Sequence, residues 1–174
     1  MENQVISYLT VGKSISSFKH TLGSVVSVWQ IAQDGMSIQR LEFVSTGSQY
    51  TAHLLVDKSQ SRAYAANYGG STFSVIKLNN EGSLGELDVV MEYGEGCRDA
   101  SHPHQTFSRG NMVWVVDLGC DRIRHYRLDS DGALINAGET VVRAGAGPRH
   151  AVFHPTRNLM FLLCELQSYV QVYR

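Results

Sequence analysis

GAGPRHAVFHP, residues 145–155, is the stretch around which this chain is organised. It opens with a glycine-rich approach, places Arg149 beside His150, and continues as an alternating run that is typical of a β-strand. Glycines let a backbone come close to a ligand, and an Arg-His pair on a rigid strand suits anion binding or polarisation of a carbonyl. The stretch therefore predicts a loop and a strand that carry a functional site.

The same stretch belongs to a repeat. Three strand-like runs each begin with a histidine, and three turns each end in glycine. The histidines are His53, His104 and His150, and the turns are Asp34-Gly35, Glu81-Gly82 and Asp131-Gly132. The glycines lie 47 and then 50 residues apart. A period near 48 residues with about four short strands, and no amphipathic helix, predicts an all-β fold built from β-propeller blades.

We name the four predicted strands of a blade A to D. Strand A begins at the histidines and strand B ends at Asn67, Asp117 and Cys164. Strand C is expected at about 72–78, 121–128 and 169–174, and strand D at about 84–93 and 133–142. Residues 24–174 are predicted to form one partial propeller domain, in which Val25 to Phe43 is a hairpin. Residues 1–23 stay unassigned.

Neighbouring strands of a blade are antiparallel, so the start of A, the end of B and the loop from D to A lie on one face of the disc. The unusual residues fall on that face: Asn67 to Gly70, His102 to His104, Asp117 to Gly119, Gly145 to His150, and Glu165. Loops gathered on one face of a rigid scaffold are where binding and catalysis usually occur.

Composition excludes several classes of function. The 174 residues carry a net charge of -1 and a pI near 6.6, which gives no attraction to nucleic acid or anionic membrane. We therefore expect a small-molecule or protein partner. The three cysteines show no metal-ligand spacing, and we interpret them as reduced thiols of a cytoplasmic protein.

The number of blades is small. The 174 residues of the chain are enough for only three to four blades, whereas propellers close with about 4–8 blades. Open sheet edges invite pairing or aggregation. We expect the chain to be part of a longer protein, and an arc of this size alone to be marginally stable and prone to associate.

No metal or cofactor is predicted. His102 and His104 would share a face of a strand, but no third ligand is spaced to join them. His150 and His154 have helical zinc spacing, yet Pro155 and the alternation favour a strand, so that pair is interpreted as structural. The glycines match no nucleotide-binding fingerprint and are interpreted as tight turns.

His104, Arg149 and Glu165 are the candidate catalytic residues. Together they offer proton transfer, anion recognition and orientation, which suits acyl chemistry with water as the nucleophile. A structural ion pair is the alternative. No Ser or Cys lies in a nucleophile-elbow pattern, which argues against covalent catalysis.

Five motifs resemble one known family in order and spacing. They are Ala66 to Gly70, His102-Pro103-His104, Asp117 to Asp121, Gly145 to His150 with Phe153-His154-Pro155, and Glu165-Leu166. Together they resemble the lactonase family of seven-bladed β-propellers, which includes propeller-type 6-phosphogluconolactonases and carboxy-muconate lactonizing enzymes. The resemblance covers about residues 24–174 and implies seven blades.

The resemblance also implies roles. His104, Arg149 and Glu165 match the active-site residues of that family, and His102, Asn67, Asp117 and His150 are expected to contribute to substrate binding. Two departures stand out. Cys164 replaces the usual Asn before the Glu, and the turn Ser108 to Asn111 is short.

The expected function is hydrolysis of a sugar lactone, most simply 6-phosphogluconolactone to 6-phosphogluconate in the pentose phosphate pathway. A muconate-type lactonizing enzyme or cyclase is one alternative, and a non-enzymatic propeller that only binds partners is another. The oligomeric state is left open.

Overall fold

The computed structural model describes residues 5–11, 23–32, 34–57, 61–79, 83–94, 96–97 and 100–174. Within these ranges every regular element is a β-strand, and all strand pairs are antiparallel. The strands are β1 (Val5–Val11), β2 (Val25–Ile31), β3 (Ile38–Ser45), β4 (Thr51–Asp57), β5 (Arg62–Asn67), β6 (Thr72–Leu78), β7 (Leu84–Glu92), β8 (Pro103–Arg109), β9 (Met112–Asp117), β10 (Arg122–Leu128), β11 (Leu134–Val141), β12 (Pro148–Phe153), β13 (Met160–Cys164) and β14 (Tyr169–Tyr173).

Four sheets follow one another along the chain. We call them blade 1 (β1-β2-β3), blade 2 (β4-β5-β6-β7), blade 3 (β8-β9-β10-β11) and blade 4 (β12-β13-β14). Each blade is a meander, and the inner strands β4, β8 and β12 contact one another in series. The predicted propeller architecture is confirmed, and the strands predicted as A to D coincide with those of blades 2, 3 and 4.

Strand β1 lies in the segment that the sequence left unassigned. It pairs with β2 along its whole length, from Val5 opposite Ile31 to Val11 opposite Val25. It contacts β4 in the way that β5 contacts β8, so it is the B strand of blade 1. The predicted hairpin β2–β3 therefore supplies strands C and D of that blade.

The core consists of layers between blades. Side chains alternate along a strand, so a strand with both faces covered reads as a continuous apolar run. In β9, Val113 and Val115 pack toward blade 2 with Tyr64, whereas Val116 packs toward blade 4 with Leu162. A third cluster joins blade 1 to blade 2 through Val26, Val28 and Ile76.

The glycine turns behave as predicted where they are described. Gly35 and Gly132 have φ of 69° and 79°, a conformation that favours glycine. Gly82, the third glycine of that series, lies outside the described residues. Among the residues that are described, no helix is long and apolar enough to cross a membrane.

The cysteines correct one prediction. Cys97 and Cys120 form a disulfide, so the prediction of three reduced thiols is wrong for these two. They are 23 residues apart in sequence, but the loop into β8 and the loop after β9 meet at the same end of blade 3, which brings their Cα atoms to 4.2 Å. Cys164 is free and buried.

Candidate active site

The inner strands of blades 2, 3 and 4 all begin with a β-bulge. In β8, Pro103 lies opposite Asp117 and Gln105 opposite Val116, so His104 is the extra residue between them. The same shift leaves Arg149 as the extra residue of β12 and Ala52 as that of β4. A bulge re-aims the side chain of its extra residue. His104 and Arg149 therefore occupy the same special position in neighbouring blades.

This register shows that the three repeated histidines are not equivalent residues, because His104 is shifted by one position relative to His53 and His150. The residue equivalent to His104 is Arg149, and His53 matches Gln105 and His150. The sequence spacing hid this because the β8–β9 turn has only Gly110 and Asn111 between its strands, whereas 154–159 separate β12 from β13. Strand pairing, which sequence spacing does not show, fixes the alignment.

Arg149 and Glu165 form an ion pair at the end of blade 4. Arg149 Nη1 donates to Glu165 Oε2 at 2.5 Å, and the two side chains are 38% and 41% exposed. The backbone holds them together, because the Glu165 amide donates to the Gly147 carbonyl at 2.8 Å. The pair is accessible to a ligand and fixed by the loops that carry it.

Asp121 of blade 3 holds the glycine loop in place. One carboxylate oxygen accepts a hydrogen bond from Gly145 N at 2.7 Å, and the other accepts one from Gly147 N at 2.8 Å. Gly147 has a φ of +60°, and a Cβ there would collide with Leu166. The tight turn predicted for residues 145–147 is thus seen. The contact with Asp121 was not predicted, although Asp121 is the last residue of the motif Asp117 to Asp121.

His104 lies between blade 4 and the loop that follows β5. Its ring meets His150 edge-on at 5.0 Å and Tyr68 edge-on at 5.9 Å between ring centroids. Its Nδ1 is buried and has no hydrogen-bond partner among the described residues. Burial, and then the charges of Arg149 and His150, lower the pKa of His104 to about 4, although Glu165 opposes the shift. The imidazole is therefore neutral near pH 7.

His102 is fixed by three contacts. Its ring stacks on Tyr68 with centroids 4.3 Å apart, and its Nδ1 lies 3.0 Å from the Tyr68 carbonyl oxygen. Its backbone amide donates to Asp117 Oδ1 at 2.9 Å. Tyr68 contacts both histidines. It belongs to the motif Ala66 to Gly70 but was not predicted to be a site residue, because a tyrosine in a glycine-rich turn carries no distinctive spacing.

Asn67 and Asp117 lie beneath the site at equivalent positions, and neither is exposed. Asp117 accepts from Ser101 Oγ at 2.7 Å, from Arg124 Nη2 at 2.9 Å, and from the His102 and Cys120 amides. Asn67 bonds the hydroxyls of three residues, Thr51, Thr72 and Ser74. This burial favours a supporting role over the direct substrate contact that the sequence predicted.

Cys164 occupies the same position in blade 4 as Asn67 and Asp117 do in theirs. It is fully buried, and burial raises the pKa of its thiol. Compared with the usual Asn, this position therefore holds a smaller, buried thiol in place of an amide side chain. This replacement leaves the Arg149–Glu165 pair formed.

The site opens onto a groove. An open cavity of 560 Å³ runs along blade 4, lined by His53, Gln105 and His150 and by the apolar side chains of Val152, Phe161 and Leu163. Gln105 Oε1 accepts from the Ala151 amide at 2.5 Å and so ties the inner strands of blades 3 and 4 together. His150 touches both the groove and His104.

One group of potential metal ligands lies together among the described residues, formed by Cys97, Asp117 and Cys120. The two sulfurs are bonded to each other, and the carboxylate already accepts four groups. His154, on the opposite side, accepts hydrogen bonds at Nδ1 from the amides of Thr156 and Arg157. These donor atoms are occupied within the fold.

Comparison with known proteins shows to which family the chain belongs. A sequence profile of the family described as "Lactonase, 7-bladed beta-propeller" matches residues 4–174. The chain belongs to this lactonase family. The 6-phosphogluconolactonase of Pectobacterium carotovorum is 35% identical to it over 124 residues, which are 70% of this chain and 36% of that protein.

Two solved structures support the propeller fold of this lactonase family member. A Lactobacillus plantarum protein matches with a TM-score of 0.76 and 31% identity, over 86% of this chain and 45% of that one. The periplasmic gluconolactonase of Pseudomonas aeruginosa matches with a TM-score of 0.82 over 96% and 50%, and its 18% identity shows the fold alone. The chain spans half or less of the length of these relatives.

Proposed function

We propose that this chain carries the catalytic residues of a lactonase that hydrolyses a sugar lactone, with 6-phosphogluconolactone as the substrate. The observation that carries the proposal is the juxtaposition of the exposed Arg149–Glu165 pair with a neutral His104 at matching bulges of adjacent blades. Membership of the lactonase family and a relative named 6-phosphogluconolactonase support it.

Arg149 is the electrophilic group. A guanidinium has five N–H donors, and Glu165 accepts from one nitrogen of Arg149. The remaining donors can bind the lactone carbonyl oxygen and stabilise the negative charge that develops there when water attacks. Glu165 orients the guanidinium, because its own backbone is tied to the glycine loop before Arg149.

His104 acts as a neutral group. Because its pKa is lowered to about 4, it is not an imidazolium that can donate a proton near pH 7. A neutral imidazole still offers one N–H and one lone pair. We assign it to hydrogen bonding and orientation of the lactone beside Arg149, with His150 at the entrance from the groove.

Substrate and location form the finer part of the proposal. The relative's name favours the phosphorylated lactone over the muconate-type reaction, and the accessible ion pair favours catalysis over a passive scaffold. A charged phosphorylated substrate is consistent with a cytoplasmic enzyme. The reduced-cysteine argument for that location no longer applies, since Cys97 and Cys120 are joined.

The test is hydrolysis of 6-phosphogluconolactone by the purified protein, with unphosphorylated gluconolactone in parallel. We expect Arg149→Ala to lower kcat/KM by about 10²–10³-fold, the loss typical of removing one oxyanion donor. Glu165→Gln is expected to lower kcat/KM by about fivefold at most, because it weakens an exposed ion pair that orients the guanidinium but leaves the guanidinium in place. Arg127→Ala, an exposed arginine in β10 of blade 3, is the matched control and should keep full activity.

Undiminished turnover by Arg149→Ala would contradict the catalytic assignment. Equal turnover of both lactones would contradict the phosphorylated substrate, and hydrolysis of neither would contradict lactonase activity in this chain.

A further inference from the structure

The tautomer of His102 is set by its surroundings. Its Nδ1 lies 3.0 Å from the carbonyl oxygen of Tyr68. A carbonyl oxygen only accepts hydrogen bonds, so Nδ1 must carry the hydrogen and donate it. In the neutral imidazole this leaves Nε2 with a free lone pair. His102 therefore presents a base at Nε2, with the tautomer fixed by its backbone partner.

The orientation of the His102 ring is also set. It stacks on Tyr68 at 4.3 Å, and its backbone amide is held by the fully buried Asp117. A Cβ at Gly119 would collide with the Ala100 carbonyl oxygen and would lie 2.9 Å from His102 Cδ2, so glycine leaves space for both the neighbouring backbone and the ring. The residue as a whole is only partly buried. A fixed and accessible imidazole is what general base catalysis requires.

His102 and His104 belong to one site. The Tyr68 ring contacts both, face to face with His102 and edge-on with His104. The surroundings of His104 are unfavourable for taking a proton, because the positive charge of Arg149 acts on it, the His150 ring meets it edge-on, and its Nδ1 is buried without a partner. The two imidazoles therefore differ in their surroundings. The sequence predicted His104 to be catalytic and His102 to bind the substrate.

We propose that His102 is the general base of the lactonase reaction; this inference rests on the proposed function. Nε2 of His102 takes a proton from water while the water oxygen forms a bond to the lactone carbonyl carbon. The carbonyl oxygen becomes the oxyanion that Arg149 stabilises. The tetrahedral intermediate then collapses, the ring C–O bond breaks, and the imidazolium returns its proton to the leaving alkoxide. The product acid releases its proton to solvent.

Two substitutions separate a base from a merely structural histidine. His102→Asn keeps an N–H donor near the position of Nδ1, so the bond to the Tyr68 carbonyl can persist, but it has no Nε2. We expect kcat to fall by about 10²–10⁴-fold, the usual contribution of general base catalysis. His102→Ala opens space for imidazole, and added imidazole is expected to restore turnover in a saturable manner. His154→Asn, at the other end of blade 4, is the matched control and should keep full activity.

The outcomes are decisive in both directions. Both variants are first checked for a cooperative thermal transition, and the one that folds is used. If His102→Asn keeps kcat within about threefold of the wild type, or if His102→Ala is inactive and imidazole does not rescue it, His102 is structural and the inference is overturned. If the wild-type protein hydrolyses no lactone, the proposed function fails and this inference fails with it; active wild type with active His102→Asn overturns the inference alone.

Discussion

Two positions that recur in blades 2, 3 and 4 behave in opposite ways. The bulged position holds Ala52, His104 and Arg149, and none of these side chains is fully buried. The end of the second strand, directly beneath, holds Asn67, Asp117 and Cys164, all with no exposure. The first position has no partner in the strand ladder and carries a different side chain in each of the three blades. In blades 2 and 3 the second position, Asn67 or Asp117, satisfies buried polar groups. The propeller thus places the reactive side chains and the supporting side chains at neighbouring but distinct positions of each blade.

A substitution at the buried position should reduce stability far more than a substitution at the bulged position. Asp117→Ala leaves Arg124, whose side chain is 15% exposed, without its carboxylate, and also frees the amides of His102 and Cys120. We expect a loss of about 3–5 kcal/mol in the free energy of unfolding, as for a broken buried ion pair. Arg149→Ala removes an exposed pair and should cost at most about 1 kcal/mol.

Urea unfolding of the two variants measures this difference. Arg127→Ala again serves as an arginine control. Equal losses for Asp117→Ala and Arg149→Ala would show that the two positions are not separated as the burial indicates.

The Cys97–Cys120 disulfide cross-links two loops at the same end of blade 3 and should stabilise them. It links residues 23 apart in sequence, and closing a loop of that size stabilises a fold by about 3 kcal/mol in the chain-entropy account. We expect the double variant Cys97→Ser/Cys120→Ser to unfold at a lower temperature than the wild type. A reductant should lower the transition of the wild type toward that of the variant and leave the variant unchanged.

A wild-type transition that does not respond to reductant, while mass spectrometry shows the thiols to be free, would contradict the support assigned to this bond. Cys164 remains reduced in both proteins and so does not contribute to the difference.

The smallest expected effect is on the pH dependence of stability. The pKa of His104 is about 4 in the folded chain, below its ordinary value of 6.5. The unfolded chain therefore binds more protons between these values, so stability is lost as the pH falls from about 6.5 to about 4. Burial also lowers the pKa of His53, so protonation of His53 likewise reduces stability as the pH falls. Ala52, at the equivalent bulge of blade 2, has no titrating group and adds nothing to this pH dependence.

Unfolding midpoints between pH 4 and pH 7 measure this slope. His104→Gln should flatten it, because glutamine keeps a polar side chain at the bulge without a titrating group. Parallel curves for the wild type and His104→Gln would show that protonation of His104 is not linked to folding.

Much of this molecule could be predicted from local pattern. Alternation, Asp-Gly turns and the repeat near 48 residues placed the strands of blades 2, 3 and 4, because these signals depend on neighbours in sequence. The gathering of His104, Arg149 and Glu165 on one face followed from antiparallel pairing alone. Strand β1 was missed because its segment carries none of the markers that define the repeat.

The blade, its period and the end of the blade at which polar residues collect follow from the amino-acid sequence, because side-chain alternation and turn chemistry depend on neighbouring residues. Four features could be seen only in the folded chain: His104 and Arg149 occupy equivalent bulges, Tyr68 fixes His102, Asp117 is buried, and Cys97 meets Cys120. The reason is physical: strand register, burial and loop contact are set by packing between segments that are distant in the chain, and spacing along the sequence does not contain them.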